Sequence, residues 1–97
     1  MSAKKKKKEQ QAKQNEESLQ RAIGTLMSVA DSPTTPRNIR KIVKDSVMML
    51  QDVSLGLGVR AANAISTLDE VSQDPNMPSF ARVTIWSAVS TLESVRE

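Results

Sequence analysis

The sequence predicts an all-α protein, an up-and-down bundle of four helices, and three observations carry that prediction. Apolar residues recur at helical spacing in four separate stretches, all four prolines stand between those stretches, and the chain repeats itself at an offset of 42 residues. At 97 residues, with 38% hydrophobic and 2% aromatic side chains, it can build one modest core and no second one.

The elements follow in order. Residues 1–16 form a basic arm with Lys4, Lys5, Lys6, Lys7, Lys8 and Lys13. Such a stretch buries too little apolar surface to offset its ordering entropy, so it is expected to be a flexible arm or a frayed helix extension. Residues 17–97 hold the bundle. Helix one presents Leu19, Ala22, Ile23, Leu26 and Ala30 on one side, and helix two presents Ile39, Ile42, Val43, Val47 and Leu50. Helix three opens after Gly56 and Gly58, which are expected to serve the turn, and offers Ala61, Ala64, Ile65 and Leu68. Helix four offers Ala81, Ile85, Ala88, Val89, Leu92 and Val95. Pro36 and Pro78 read as the starts of helices two and four, with Thr35 a fair N-cap and Met77 a poor one.

Sliding the chain by 42 residues pairs 22–53 with 64–95, and eleven positions match, Pro33/Pro75, Pro36/Pro78 and Arg40/Arg82 among them. Amphipathic helices coincide by accident at apolar positions, so the paired prolines are the telling part. A 42-residue period also suits a helical solenoid. That architecture needs about three units, and only two are present, so two hairpins closing on each other are expected instead.

The residues in 59–62, 64–66 and 68–70, then Asp74, Pro75, Asn76, Met77 and Pro78, then Arg82, Ile85, Trp86, Leu92 and Glu93, with the earlier run 36–40, resemble the small archaeal uncharacterised protein family UPF0147. The resemblance covers about residues 19–97 and leaves the lysine arm outside. It implies a compact four-helix bundle in an archaeal cytoplasm and no assigned activity.

Several chemistries are excluded by composition. Without cysteine there is neither disulfide nor thiolate metal site, and a reducing cytoplasm is compatible. Without histidine or tyrosine, the commonest general base, the commonest metal ligand and a phenolic acid are missing. Two-metal sites of four-helix bundles require histidine. The one carboxylate cluster, Asp69, Glu70, Asp74 and Glu93, offers no paired geometry, so no enzyme activity, metal or cofactor is expected. The longest apolar run, 47–50, is too short to span a membrane, and no apolar segment follows the lysines as in a signal peptide.

Charge is distributed unevenly. The formal +3 resides in residues 1–17, six lysines against three glutamates, while residues 18–97 hold eight charges of each sign. Arg37, Arg40, Lys41 and Lys44 share one helical stripe opposite the apolar side. Such a stripe is ordinarily a solvated face. Here it opposes the positive end of its own helix dipole, which favours an incoming anion. With the arm it supplies ten cations for phosphate contacts, so the preferred expectation is an accessory protein bound to RNA or ribonucleoprotein, the ribosome included. Arg40 and Arg82 are separately expected to pair with loop carboxylates such as Asp31 or Asp74.

Across the 42-residue offset, Lys41 corresponds to Val83 and Lys44 to Trp86, so the outer face of one hairpin is basic and that of the other apolar. Trp86, with Phe80 and Val83, either closes the edge of the core, or lies under the returning arm, or centres a protein-interaction surface for an adaptor or homodimer.

Overall fold

The computed structural model describes the backbone of residues 3–95 and the side chains of residues 10–95. It contains helices α1 (Ala3–Ala30), α2 (Arg37–Leu50), α3 (Leu57–Ser72) and α4 (Ser79–Glu93), with no strand among the described residues. Helix α1 packs on α2 and α4, and α3 packs on the same two, so α2 and α4 lie on a diagonal of an up-and-down four-helix bundle.

The stripes read from the sequence make the core. Leu26, Ile39, Leu50, Leu68, Ile85 and Leu92 are fully enclosed, one or two from each helix. Ala61 and Ala64 of α3 and Ala81 and Ala88 of α4 are buried between them, and their small size lets the backbones approach. Ile23, Ile42 and Ile65 sit at the margins, only partly covered.

Helix α1 has 28 residues against 14 to 16 for the others. At about 1.5 Å per residue it is roughly 20 Å longer than its neighbours. Its apolar burial begins at Leu19, preceded by the buried Asn15, whose Oδ1 accepts a bond from Gln11 Nε2 at 2.8 Å. The helical backbone thus continues through the lysine segment, and the molecule measures 53 × 24 × 20 Å. The expected contacts of the Lys4, Lys5, Lys6, Lys7 and Lys8 side chains lie outside the described residues.

The three connections, 31–36, 51–56 and 73–78, are one motif built three times. In each, the fifth residue's N–H bonds the second residue's carbonyl: Thr35 to Ser32 at 3.2 Å, Leu55 to Asp52 at 3.2 Å, Met77 to Asp74 at 3.1 Å. The second residue also organises the turn with its side chain. Asp52 Oδ1 accepts the Ser54 N–H at 3.0 Å and Asp74 Oδ1 accepts the Asn76 N–H at 2.8 Å, while the Ser32 and Thr34 hydroxyls bond each other. Eight residues on comes an arginine that reaches back to main-chain carbonyls of the turn or of the end of the preceding helix. Arg40 Nη2 donates to Ser32 O and Thr35 O, Arg60 Nη1 to Leu50 O, and Arg82 donates through Nε to Ser72 O at 3.0 Å and through Nη2 to Asp74 O at 3.4 Å. A helix C-terminus presents orphan carbonyls carrying partial negative charge, and a guanidinium answers both needs.

Three local expectations are corrected by this motif. Arg40 and Arg82 bond main-chain carbonyls, not the carboxylates of Asp31 or Asp74: Arg82 takes the last carbonyl of α3 at Ser72 and the turn carbonyl of Asp74, and Arg40 takes the turn carbonyls of Ser32 and Thr35. Thr35 does not cap α2; its buried hydroxyl donates to Val29 O at 2.9 Å and so closes α1. The prolines precede their helices by one residue, Pro36 and Pro78 being the extended N-caps, and Gly58 lies inside the first turn of α3.

The side-chain hydroxyl and then the amide of Ser54 hold the Asp52 carboxyl below its ordinary range. A lowered folded-state pKa means stabilisation present at neutral pH and lost as pH falls through the lowered value. The stability difference between the wild type and Asp52→Asn in urea melts is therefore expected to close on acidification.

Candidate nucleic-acid interface

The two outward surfaces foreseen from the duplication lie on the diagonal helices. On α2, Arg37, Lys41 and Lys44 are exposed, because Ile39, Val43, Val47 and Leu50 turn the opposite side inward. Among the described residues these three cationic heads make no ion pair. They line a shallow groove of about 370 Å³ with Arg40, Asp45 and Met48. Arg40 is half-buried, and its bonds to Ser32 O and Thr35 O commit its outer nitrogen to the loop; its charge remains in the groove while its fork does not point freely outward. Lys13, on the long α1, is exposed.

The N-terminus of α2 has no acidic residue in its first turn and no side-chain cap, Pro36 being unable to supply one. Its free N–H groups and the cations of the first two turns thus have the same sign. Exposed cations placed there cost up to about 1 kcal/mol each, a cost that a bound anion removes.

On α4 the equivalent face is apolar. Phe80 is 45%, Val83 62% and Trp86 54% exposed. Trp86 therefore does not close the core, which is filled at that level by Ile85, Ala88 and Val89. Of the two charges on α4, Arg82 is directed to the loop carbonyls and Glu93 remains exposed.

Two features escaped the sequence reading. One is Arg60, the third member of the arginine set. The other is a hollow of about 630 Å³ at the α2/α3 seam, where Ile42, Met49 and Val71 lie beneath Asp45, Glu70 and Asp74. Neither this rim nor any other group of described carboxylates is arranged to hold a metal ion. No helix of the described residues is long and apolar enough to cross a membrane.

The model of the uncharacterised protein family UPF0147 matches residues 5–95. The chain belongs to this family. The match takes in Lys5 to Lys8, so the lysine segment is not outside the family's extent, as the shorter resemblance had implied. The chain is 51% identical to a UPF0147 protein of Metallosphaera sedula over 83 residues, 86% of this chain and 93% of the relative. It is 46% identical to one of Aeropyrum pernix, again over 86% of this chain and 91% of the relative. Among solved structures, it superposes with a TM-score of 0.80 on the crystal structure of the unknown function protein MMP1188, at 38% identity, covering 82% of this chain and 91% of that one. A UPF0147 protein from Thermoplasma acidophilum gives a TM-score of 0.81 at 28% identity, covering 87% and 99%. UPF0147 is thus an archaeal family with a four-helix, all-α fold here.

Proposed function

We propose that this UPF0147 protein is a non-enzymatic cytoplasmic binding protein that docks on RNA or a ribonucleoprotein, such as the ribosome, through phosphate contacts. One observation carries the reading: Arg37, Lys41 and Lys44 face solvent together on α2, with no ion pair among the described residues, in a stripe that starts at the positive end of a helix without a side-chain cap and runs to its middle. Cations paired within their own chain have little left to offer a phosphate, and these are not so paired. Lys13 is exposed on α1, and the sequence carries Lys4, Lys5, Lys6, Lys7 and Lys8 before it as further cations. No exposed aromatic is interleaved with the α2 stripe, so the contacts expected are to backbone phosphates and shape, with little base discrimination.

Fluorescence anisotropy with a labelled RNA, titrated at several salt concentrations, tests this. Each phosphate contact adds roughly 0.7 to 0.9 to the slope of log affinity against log salt. Replacing Arg37, Lys41 and Lys44 together by Gln is expected to flatten that slope by about 2 to 3, and deleting residues 2–13 to flatten it further. Unchanged slopes in both variants would overturn the reading.

A further inference from the structure

We propose that two copies of this chain pair through α4, antiparallel, about a two-fold axis beside Trp86. This goes beyond the RNA reading and uses the helix diagonal to the basic stripe.

The first argument is the composition of the face. Phe80, Val83 and Trp86 are exposed, and Ser79, Ser87, Ser90 and Ser94 complete the outward side. The chain is 26% charged, so a helix of 15 residues would ordinarily carry about four charges. α4 carries two, and Arg82 is turned to the loop. A water-facing helix side this poor in charge and rich in large apolar groups is the composition of a contact surface.

The second argument selects a second copy as the occupant. Apart from Ser79 at its start, the bulky residues occupy the N-terminal half of the face and the serines its C-terminal half, with Trp86 at the midpoint of Ser79–Glu93. Reversing one helix against another sets bulk over small residues at both ends: Phe80 of each copy lies over the serines near position 90 of the other. A parallel pair would set Phe80 against Phe80 and leave a gap over the serines. Charge agrees with this. The antiparallel arrangement brings the exposed Glu93 of each copy to the first turn of the other's α4, which has neither an acidic residue nor a side-chain cap. It also leaves both α2 stripes on the outer sides of the pair, with like charges far apart.

Area sets the strength. The exposed parts of Phe80, Val83 and Trp86 amount to about 300 Å² of apolar surface per copy, given roughly 150–250 Å² for a whole aromatic side chain. With the serines, a pair would bury on the order of 1,000 Å², the low end for a specific interface. A dimer dissociating at micromolar concentrations or above is the expected result.

Two properties of the chain make the test clean. Trp86 is its one tryptophan and tyrosine is absent, so fluorescence on dilution reports on this site; cysteine is absent, so introduced cysteines report on register. Sedimentation velocity from about 1 µM to 1 mM is expected to show a monomer–dimer equilibrium, with Trp86 emission moving to shorter wavelength as dimer forms. Val83→Glu, at a solvent-facing position, is expected to weaken the dimer at least tenfold with the helical circular dichroism unchanged. Under mild oxidation Ser87→Cys, beside the axis, is expected to cross-link to itself. Ser79→Cys is not, because an antiparallel pair holds those positions about 20 Å apart and a disulfide needs Cα atoms within about 7 Å. A monomer throughout the range, dimerisation indifferent to Val83→Glu, or self-cross-linking through Ser79→Cys would each overturn the proposal. Because neither readout involves RNA, its failure is separate from failure of the phosphate-binding reading.

Discussion

Ile85→Ala is expected to lower the free energy of unfolding by about 2 to 5 kcal/mol, while Trp86→Ala, the next residue along α4, lowers it by only about 1 to 2 kcal/mol in dilute protein. Ile85 is fully enclosed and meets the fully buried side chains of the other helices, so its truncation removes transfer free energy and leaves a cavity in close-packed surroundings. Trp86→Ala removes more atoms, but more than half of the indole is already in water, so it gives up only roughly 100 Å² of buried surface and opens no enclosed cavity. A domain of this size has only about 5 to 15 kcal/mol in hand, so Ile85→Ala consumes a large share of it. Urea melts at about 0.1 µM, below the dissociation range expected for the proposed pair, measure both. A large loss in Trp86→Ala under those conditions would mean that the indole supports the core and would remove the basis for treating this face as a docking surface.

The contrast between neighbours also shows what could be read in advance. Ile39, Val43, Val47 and Leu50 repeat at the period of one helix face, and all four are buried. The duplication went further than periodicity: alignment of Lys44 with Trp86 made an outward indole one of three readings, beside closing the core edge and lying under the arm, and its 54% exposure selects the outward one. The loops were less legible. An offset of 42 residues relates the first hairpin to the second and is blind to the connection between them, so the turn expected at Gly56 was not seen to share its build with the other two; Gly56 stands where they have proline. A shorter pattern was available: Ser or Asp, then arginine eight residues later, at Ser32/Arg40, Asp52/Arg60 and Asp74/Arg82. Thr35 misled because a hydroxyl between two helices can serve either one, and sequence does not say which carbonyl or N–H is nearer. The seam hollow was not legible at all, since Asp45 is remote in sequence from Glu70 and Asp74, and only packing of α2 on α3 brings them together.

The recurring arginine makes a graded prediction. Arg82→Met is expected to cost about 1 to 3 kcal/mol, Arg40→Met somewhat less, and Arg60→Met the least, with Met chosen to retain the apolar stem. The order follows from how fully each guanidinium is used. Arg82 employs both Nε and Nη2, bonding Ser72 O and Asp74 O. Arg40 makes two bonds through Nη2 but buries an Nε that has no partner, and Arg60 has a single bond at 3.3 Å with its Nε likewise unpartnered. A buried donor without an acceptor subtracts from what the others contribute. Arg82→Lys is expected to recover little, because a compact ammonium cannot place two donors on carbonyls two residues apart as a planar fork does. Thermal and urea melts of the three variants check the ranking. Equal losses at all three sites would mean that charge at the helix C-terminus matters and hydrogen-bond geometry does not. Recovery by lysine at position 82 would say the same, since an ammonium supplies that charge without the fork.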